Sequence, residues 1–113
     1  MSDPALTQPK ILQSRLADDG KTVLEAADSY IKFKSGSIIL PEIKKDVAIK
    51  FIIIGFFPNT FGSGELIAHE KDKIKYNSLY GEIMSNNIHV GNSIYKIICD
   101  GKSRMWYLKM ISR

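Results

Sequence analysis

The sequence is poor in the features that define several protein classes. Cys99 is the only cysteine among 113 residues, which excludes an internal disulfide and any zinc site built from several cysteines. The longest unbroken apolar run, Phe51 to Phe57, is far shorter than the roughly 20 residues of a membrane helix, so we predict no membrane span. The first ten residues lack the basic start and apolar centre of a secretory signal, and we expect a cytoplasmic protein.

The common catalytic and phosphate-binding motifs are also missing. Neither a GxxxxGK[ST] loop nor a GxGxxG sequence after a strand is present, and the Gly-Ser-Gly at residues 62–64 is too short to count as either. His69 and His89 have no second histidine or cysteine at metal-ligand spacing. Cys99, within YKIIC, is typical of a small buried hydrophobe. We therefore predict no cofactor, no metal site and no catalytic residue.

The charge that the chain carries is unevenly placed. Hydrophobic residues make up 44% and charged residues 25%, as in an ordinary globular protein, and the length suits one domain. The formal net charge is +4, and the basic excess lies in residues 94–113, where five basic residues are accompanied by Asp100 alone. A localised basic surface attracts nucleic acid, anionic lipid or an acidic protein. A solvated face that only keeps the protein soluble has the same composition.

The first 28 residues differ in pattern from the rest. They contain two prolines and a short helical pattern through Ile11, Leu12 and Leu16, which predicts a loose N-terminal arm with one or two helical turns. From Ser29 onward, alternation with period two and frequent β-branched and aromatic residues predict a single β domain over residues 29–113. We find no internal repeat in the sequence.

Five strands and one helix are predicted in the β domain. The sequence VAIKFIIIGFF is apolar at both parities, which predicts a central strand covered on both faces. The last two strands form a hairpin around Asp100-Gly101. Tyr76, Tyr80 and Met84 recur at helical spacing and predict a helix after the third strand. The predicted strands are residues 29–40 with a bend at Gly36, 47–57, 65–70, 93–99 and 104–111.

The order of these elements, β-β-β-α-β-β, is similar to that of the OB barrel. We therefore predict a mainly β protein, a small antiparallel barrel of five to six strands with OB-like order. A different small β-barrel and a β-sandwich are the alternatives.

Two classes of function fit this distribution of residues. The first is a non-enzymatic module that binds single-stranded DNA or RNA, because such proteins combine cations along the phosphates with aromatic rings on which bases stack. Alternation puts basic and aromatic side chains together on one face of the first strand and on one face of the last hairpin. The loops that grip the ligand in OB barrels are basic here as well. The predicted binding residues are Tyr30, Lys32, Lys34, Lys44, Lys45, Lys96, Lys102, Arg104, Tyr107 and Lys109.

The second class is a protein-interaction module, such as a small inhibitor or an assembly component. Outward isoleucines surround the lysines of the C-terminal hairpin, and mixed apolar and charged patches are typical of interfaces. The partner would be an acidic protein, or a second copy paired through an edge strand at the C-terminus. Phe57 and Phe61, beside Pro58, are candidate loop anchors. For Phe61 we expect a ring that plugs the end of the barrel, with an exposed stacking ring as the alternative.

Overall fold

The computed structural model describes residues 14–112 of the chain, and within them eleven strands and no helix are formed. The fold is therefore mainly β, as the alternation predicts. No helix long and apolar enough to cross a membrane occurs in this part of the chain. The strands are β1 (Ser14–Ala17), β2 (Lys21–Val23), β3 (Tyr30–Phe33), β4 (Ser37–Ile39), β5 (Ile49–Gly55), β6 (Gly64–Ile67), β7 (Lys73–Ser78), β8 (Gly81–Ser85), β9 (Asn87–Val90), β10 (Ile94–Cys99) and β11 (Met105–Ser112).

The strands form two sheets. The larger has seven strands in the order β1-β3-β5-β10-β11-β7-β8, and the smaller has four in the order β2-β4-β6-β9. β1, β3 and β5 are parallel neighbours in the larger sheet, while β2, β4 and β6 are parallel neighbours in the smaller one. The strand pairs β1–β2, β3–β4 and β5–β6 are thus three successive passes of the chain, and each pass contributes one strand to each sheet.

The first two passes are structural repeats of each other. Ser14 pairs with Tyr30 in the larger sheet, and Lys21 pairs with Ser37 in the smaller one. In each pair the two partners are 16 residues apart in sequence. A pass of 16 residues therefore moves the chain to the next strand position in both sheets. The structure therefore contains a repeat of strand positions, although no internal repeat is found in the sequence.

Two residue types are shared by the repeats. Gly20 and Gly36 lie in equivalent turns with φ of 69° and 87°, a conformation that glycine adopts without steric cost. Leu24 and Leu40 are both buried and donate their backbone N–H groups to the next pass, at 2.9 and 2.8 Å. No other residue is identical at this spacing over the two passes, and the repeat is consequently invisible in the sequence alone.

One hydrophobic core joins the inner faces of the two sheets. Alternation in the larger sheet follows the prediction, since Ile31 and Phe33 of β3 point into the core together with every second residue of β10. Trp106 is fully buried, and its ring stacks on that of Phe51 with centroids 5.8 Å apart. Such aromatic pairs stabilise a core by about 0.5–1.5 kcal/mol beyond their buried area.

The C-terminal hairpin is confirmed, but its position in the sheet is not the predicted one. β10 and β11 are antiparallel partners, and β11 also pairs in parallel with β7. β11 is thus an interior strand, and the prediction of an edge strand at the C-terminus is wrong. Within residues 14–112 the edges of the larger sheet are β1 and β8.

The predicted helix is wrong, because residues 73–85 form the antiparallel hairpin of β7 and β8. Its turn contains Gly81 at φ 124°, and Leu79 and Tyr80 are exposed beside it. Tyr76 packs against the core, whereas Met84 is exposed on the outer strand. A spacing of four residues is also a multiple of two, so the pattern that suggested one helical face fits strand alternation equally well.

The antiparallel barrel with OB-like order is not confirmed. Over the described residues there are parallel as well as antiparallel pairs, the helix of that order is missing, and the pairings leave both sheets open. The helical pattern through Leu16 is the strand β1, while Ile11 and Leu12 lie outside the described residues. The boundary after residue 28 stays a prediction. β5 is central but covered on one face only, with Ile52 and Ile54 half-buried on the other.

Candidate functional site

The outer face of the seven-stranded sheet, on the side away from the core, collects basic and aromatic side chains from both ends of the sequence. Residues that are direct partners across a sheet share a face, so strand pairing defines rows of neighbouring side chains. The first row is Tyr30, Ile52, Lys96 and Lys109. The second row is Lys50, Ile98, Tyr107, Lys75 and Met84. The third row is Leu16, Lys32, Ile54 and Ile94.

This arrangement merges two predicted sites. The sequence places Tyr30 and Lys32 on one strand face and Lys96, Tyr107 and Lys109 on another, with no indication that the two are continuous. Insertion of β5 between β3 and β10 makes them one surface, because each strand pair keeps its outward residues in register. Lys34 follows β3, and its Nζ lies 3.8 Å from Oδ2 of Asp18.

The charge on the outer face is strongly unbalanced. Five lysines lie in the three rows, and the nearby carboxylate is Glu82, which is the cross-strand partner of Asn77. Lys75 pairs with it, its Nζ 3.0 Å from Oε1, and this hydrogen bond raises the pKa of Lys75 above its ordinary value. Within the part of the chain that the structure describes, no ion pair is made by Lys32, Lys50, Lys96 or Lys109.

Lys96 and Lys109 are direct partners in the β10–β11 pair. Like charges directly opposite in a sheet are destabilising, since their side chains leave the same face about 5 Å apart. Lys96 is half-buried and Lys109 is exposed, so the ammonium groups reach solvent from a partly apolar surface. The pair creates a local excess of positive charge that an anion would neutralise.

A groove of about 700 Å³ adjoins this pair and runs towards the β7–β8 hairpin. Its volume lies in the usual range for sites that hold small molecules. Lys75, Lys96 and Lys109 contribute cations, and Tyr107 contributes an exposed ring. Ile98 and other apolar side chains line the rest, together with Asn77 and Ser78. The groove combines the two elements that the sequence predicted for the hairpin face, cations and an aromatic ring.

The two basic loops form a second cluster, where β5 begins and β10 ends. Gly101 accepts a hydrogen bond from the N–H of Asp46 at 2.9 Å, and a small cavity of about 260 Å³ lies between Lys45 and Arg104. Gly101 allows this approach because a side chain there would overlap the backbone of residues 44–47. The loops at residues 41–46 and 100–103 therefore lie together.

Ion pairs within this loop cluster neutralise most of its positive charge. Its four cations are accompanied by four carboxylates, and most of them form ion pairs between 2.8 and 3.1 Å. Lys44 holds the pKa of Glu42 below its ordinary value. A cation that already has a carboxylate partner attracts a phosphate less, so this cluster is a weaker anion site than the outer face. The pairs are Lys44–Glu42, Lys102–Asp46, Arg104–Glu42 and Arg104–Asp72, while Asp100 accepts the N–H of Lys102.

Asp72 is a structural residue that the sequence analysis missed. Its side chain is 0% exposed, and its Oδ2 accepts a hydrogen bond of 2.9 Å from the N–H of Ile43. Arg104 Nε lies 2.8 Å from its Oδ1, in an ion pair whose N–H is not aligned for a hydrogen bond. Asp72 fastens the loop at residues 41–46 to Arg104, the residue before β11.

The two candidate loop anchors have opposite environments. Phe57 is 7% exposed and meets the Phe33 ring edge to face at 5.0 Å, so it belongs to the core and is not an anchor. Phe61 is 96% exposed, and the expectation that it plugs the end of a barrel is wrong. Its loop is held by Asn92, which accepts the N–H of Phe57 and donates to the carbonyl of Asn59.

The isolated titratable residues Cys99, His89 and His69 lie in different environments. Cys99 is buried, and burial raises the pKa of its thiol, as suits an unreactive core residue. His89 is exposed on β9, and His69 is half-buried beside the turn at residues 69–72. Among residues 14–112 no group of three or more histidine, cysteine or acidic side chains is placed to hold a metal ion.

Comparisons of the chain with protein-family models, with curated proteins and with solved structures found no match. The geometry and charge of the described residues are therefore the basis for a functional proposal.

Proposed function

We propose that the protein is a non-enzymatic module that binds single-stranded nucleic acid on the outer face of its seven-stranded sheet. The observation that carries this proposal is the row Tyr30–Ile52–Lys96–Lys109 with its neighbour Lys50–Ile98–Tyr107–Lys75. The rows place cations and aromatic rings on one continuous surface, and proteins that bind single strands without sequence preference use this combination.

Each part of the surface has a distinct task in this proposal. Lys32, Lys50, Lys96 and Lys109, which make no ion pair within residues 14–112, attract phosphates and release counterions when the strand binds. Tyr30 and Tyr107 offer rings to the bases, and base stacking contributes about 1–3 kcal/mol per base. The half-buried isoleucines between them, Ile52 and Ile98, provide an apolar floor that favours a base over water.

The deciding experiment measures binding of a labelled single-stranded oligonucleotide by fluorescence anisotropy across a range of salt concentrations. If four phosphates are neutralised, the logarithm of the association constant should fall against the logarithm of salt concentration with a slope of about −3. A duplex of the same sequence should bind more weakly, because its bases are not available for stacking. Failure to bind the single strand at low salt would overturn the proposal.

Two double variants distinguish binding at this surface from a general effect of net charge. K96E/K109E should abolish binding. K21E/K71E changes the net charge equally, on β2 and in the turn before β7, and should retain most of it. Equal losses in both variants would show that the outer face is not the binding surface. Circular dichroism and thermal melting of each variant verify the fold.

A second candidate function, a protein-interaction module, is favoured by one separate observation. Leu79 and Tyr80 in the turn of the β7–β8 hairpin are 90% and 98% exposed, and Ile83 on the edge strand β8 is exposed as well. Exposed apolar side chains at a sheet edge are typical of surfaces that bind another chain. Light scattering after size exclusion tests self-association, which L79S/Y80S should abolish. A monomer at all concentrations would remove a second copy as the partner.

A further inference from the structure

The groove beside Lys96 and Lys109 has a chemically divided lining. Lys96 and Lys109 lie on β10 and β11, whereas Lys75, Asn77 and Ser78 lie on β7, and Tyr107 lies on β11 between β10 and β7. A ligand that fits this division has an anionic group, a flat apolar body and a polar edge.

Lys96 and Lys109, on the cationic side of the groove, favour an anion. Lys96 and Lys109 repel each other as direct cross-strand partners, and neither has a carboxylate within ion-pair distance over residues 14–112. A phosphate between the two ammonium groups would turn this repulsion into two charge-assisted hydrogen bonds.

The opposite side of the groove can recognise a polar edge. Asn77 is exposed, and its side-chain amide makes no hydrogen bond to the described residues. An amide offers both a donor and an acceptor, which is the pattern needed to bind the edge of a base. Tyr107 is the cross-strand partner of Lys75, and Lys75 is two residues before Asn77 on β7, so ring and amide lie on the same face.

One group beside the groove opposes an anion. Glu82 is the cross-strand partner of Asn77 and pairs with Lys75 at 3.0 Å. Its carboxylate cancels one of the three cations of the groove. Loss of this negative charge should therefore improve the binding of an anionic ligand, an effect that a purely structural role of the groove would not produce.

We infer that this groove holds one nucleoside monophosphate unit, with its phosphate between Lys96 and Lys109, its base on Tyr107 and the polar edge of the base towards Asn77. The inference rests on the proposed function, because the unit would be one residue of the bound strand. It goes further in assigning the groove as a site that also binds the free mononucleotide.

The test compares three probes on the full chain, namely AMP, adenosine and inorganic phosphate, by isothermal titration calorimetry at low salt. AMP should bind more tightly than either of the others, since each supplies only part of the contacts. Adenosine binding as tightly as AMP would overturn the placement of the phosphate, and phosphate binding as tightly as AMP would overturn the placement of the base.

Three variants and one control sharpen the test. Glu82→Gln should tighten AMP about two- to fivefold, the effect of one exposed charge, whereas the matched control Glu25→Gln, in the connection between β2 and β3, should not. Asn77→Ala should weaken AMP but leave inorganic phosphate unchanged. K96Q/K109Q should weaken both. An unchanged affinity for AMP in Glu82→Gln and Asn77→Ala would overturn the site.

The outcome is distinguishable from failure of the proposed function. If the oligonucleotide binds and K96E/K109E abolishes that binding, but AMP does not bind, the surface stands and the groove inference is wrong. If AMP binds with the predicted response to the variants, but the oligonucleotide binds no more tightly than AMP, the groove stands and the strand-binding function is wrong.

Discussion

Lys96 and Lys109 face each other directly across the antiparallel pair of β10 and β11, and no acidic side chain of residues 14–112 pairs with either. Repulsion between the two ammonium groups disfavours the folded state. The same repulsion favours an anionic ligand, because a bound anion neutralises both charges. A surface selected for stability alone would place a carboxylate at one of these positions.

Replacement of Lys109 by glutamate should therefore stabilise the protein while it weakens ligand binding. An opposite-charge pair with Lys96 replaces a like-charge pair, which should raise the free energy of unfolding by about 0.2–1 kcal/mol at low salt. Urea unfolding measures the gain, and added salt should reduce it. Lys32→Glu is the control, because the cross-strand partners of Lys32 are Leu16 and Ile54. A destabilised Lys109→Glu protein would contradict the assigned register.

Gly64 should not tolerate a side chain. A Cβ at Gly64 would overlap the ring of Phe33, which is itself fully buried in the core. Gly64→Ala should lower the free energy of unfolding by about 1–3 kcal/mol through overpacking. At Gly91 a Cβ would meet nothing closer than 3.8 Å, and Gly91→Ala should have a much smaller effect. Comparable losses in the two variants, measured by urea unfolding, would contradict the packing of β6 on β3.

Arg104 should matter for stability more than for ligand binding. Its removal leaves the buried carboxylate of Asp72 without its cation, which should cost about 1–3 kcal/mol of folding free energy. Lys44→Ala is a suitable control, because the pair of Lys44 with Glu42 is exposed to solvent and should contribute little. Thermal melting distinguishes the two. If Arg104→Ala abolished oligonucleotide binding without loss of stability, the loop cluster would be part of the binding surface.

The thiol of Cys99 should be unreactive in the folded protein. Burial raises its pKa above the ordinary value of 9.0, so both access and thiolate formation are restricted. A thiol reagent at pH 8 should react at least about tenfold faster after unfolding in urea. Since the unfolded thiol ionises first, the contribution of the neutral thiol to stability is complete below pH 9 and declines as pH rises beyond it. Fast reaction of the native protein would place Cys99 outside the core.

The alternation of apolar and polar residues predicted correctly which side chains point inward where one face of a strand is buried. The alternation of Ile31 and Phe33 with Tyr30 and Lys32 appears in β3 as predicted, because burial against a core selects every second side chain. The turn at residues 100–103 was likewise predicted, since Asp-Gly favours a hairpin. Pattern failed at residues 73–85, where spacings of four residues fit helix and strand alike and strand pairing decided between them.

The sequence by itself determined a mainly β chain, the outward lysines and tyrosines, and the burial of Cys99, because these depend on the order of residues within single strands. Only the tertiary structure decided which outward faces become neighbours. Insertion of β5 between β3 and β10 put Tyr30 and Lys96 on either side of Ile52 in one row, and the pairing of β11 with β7 brought Tyr107 beside Lys75. These neighbouring residues are far apart in the chain. No local pattern specifies them, because the register of strands depends on the packing of the whole core.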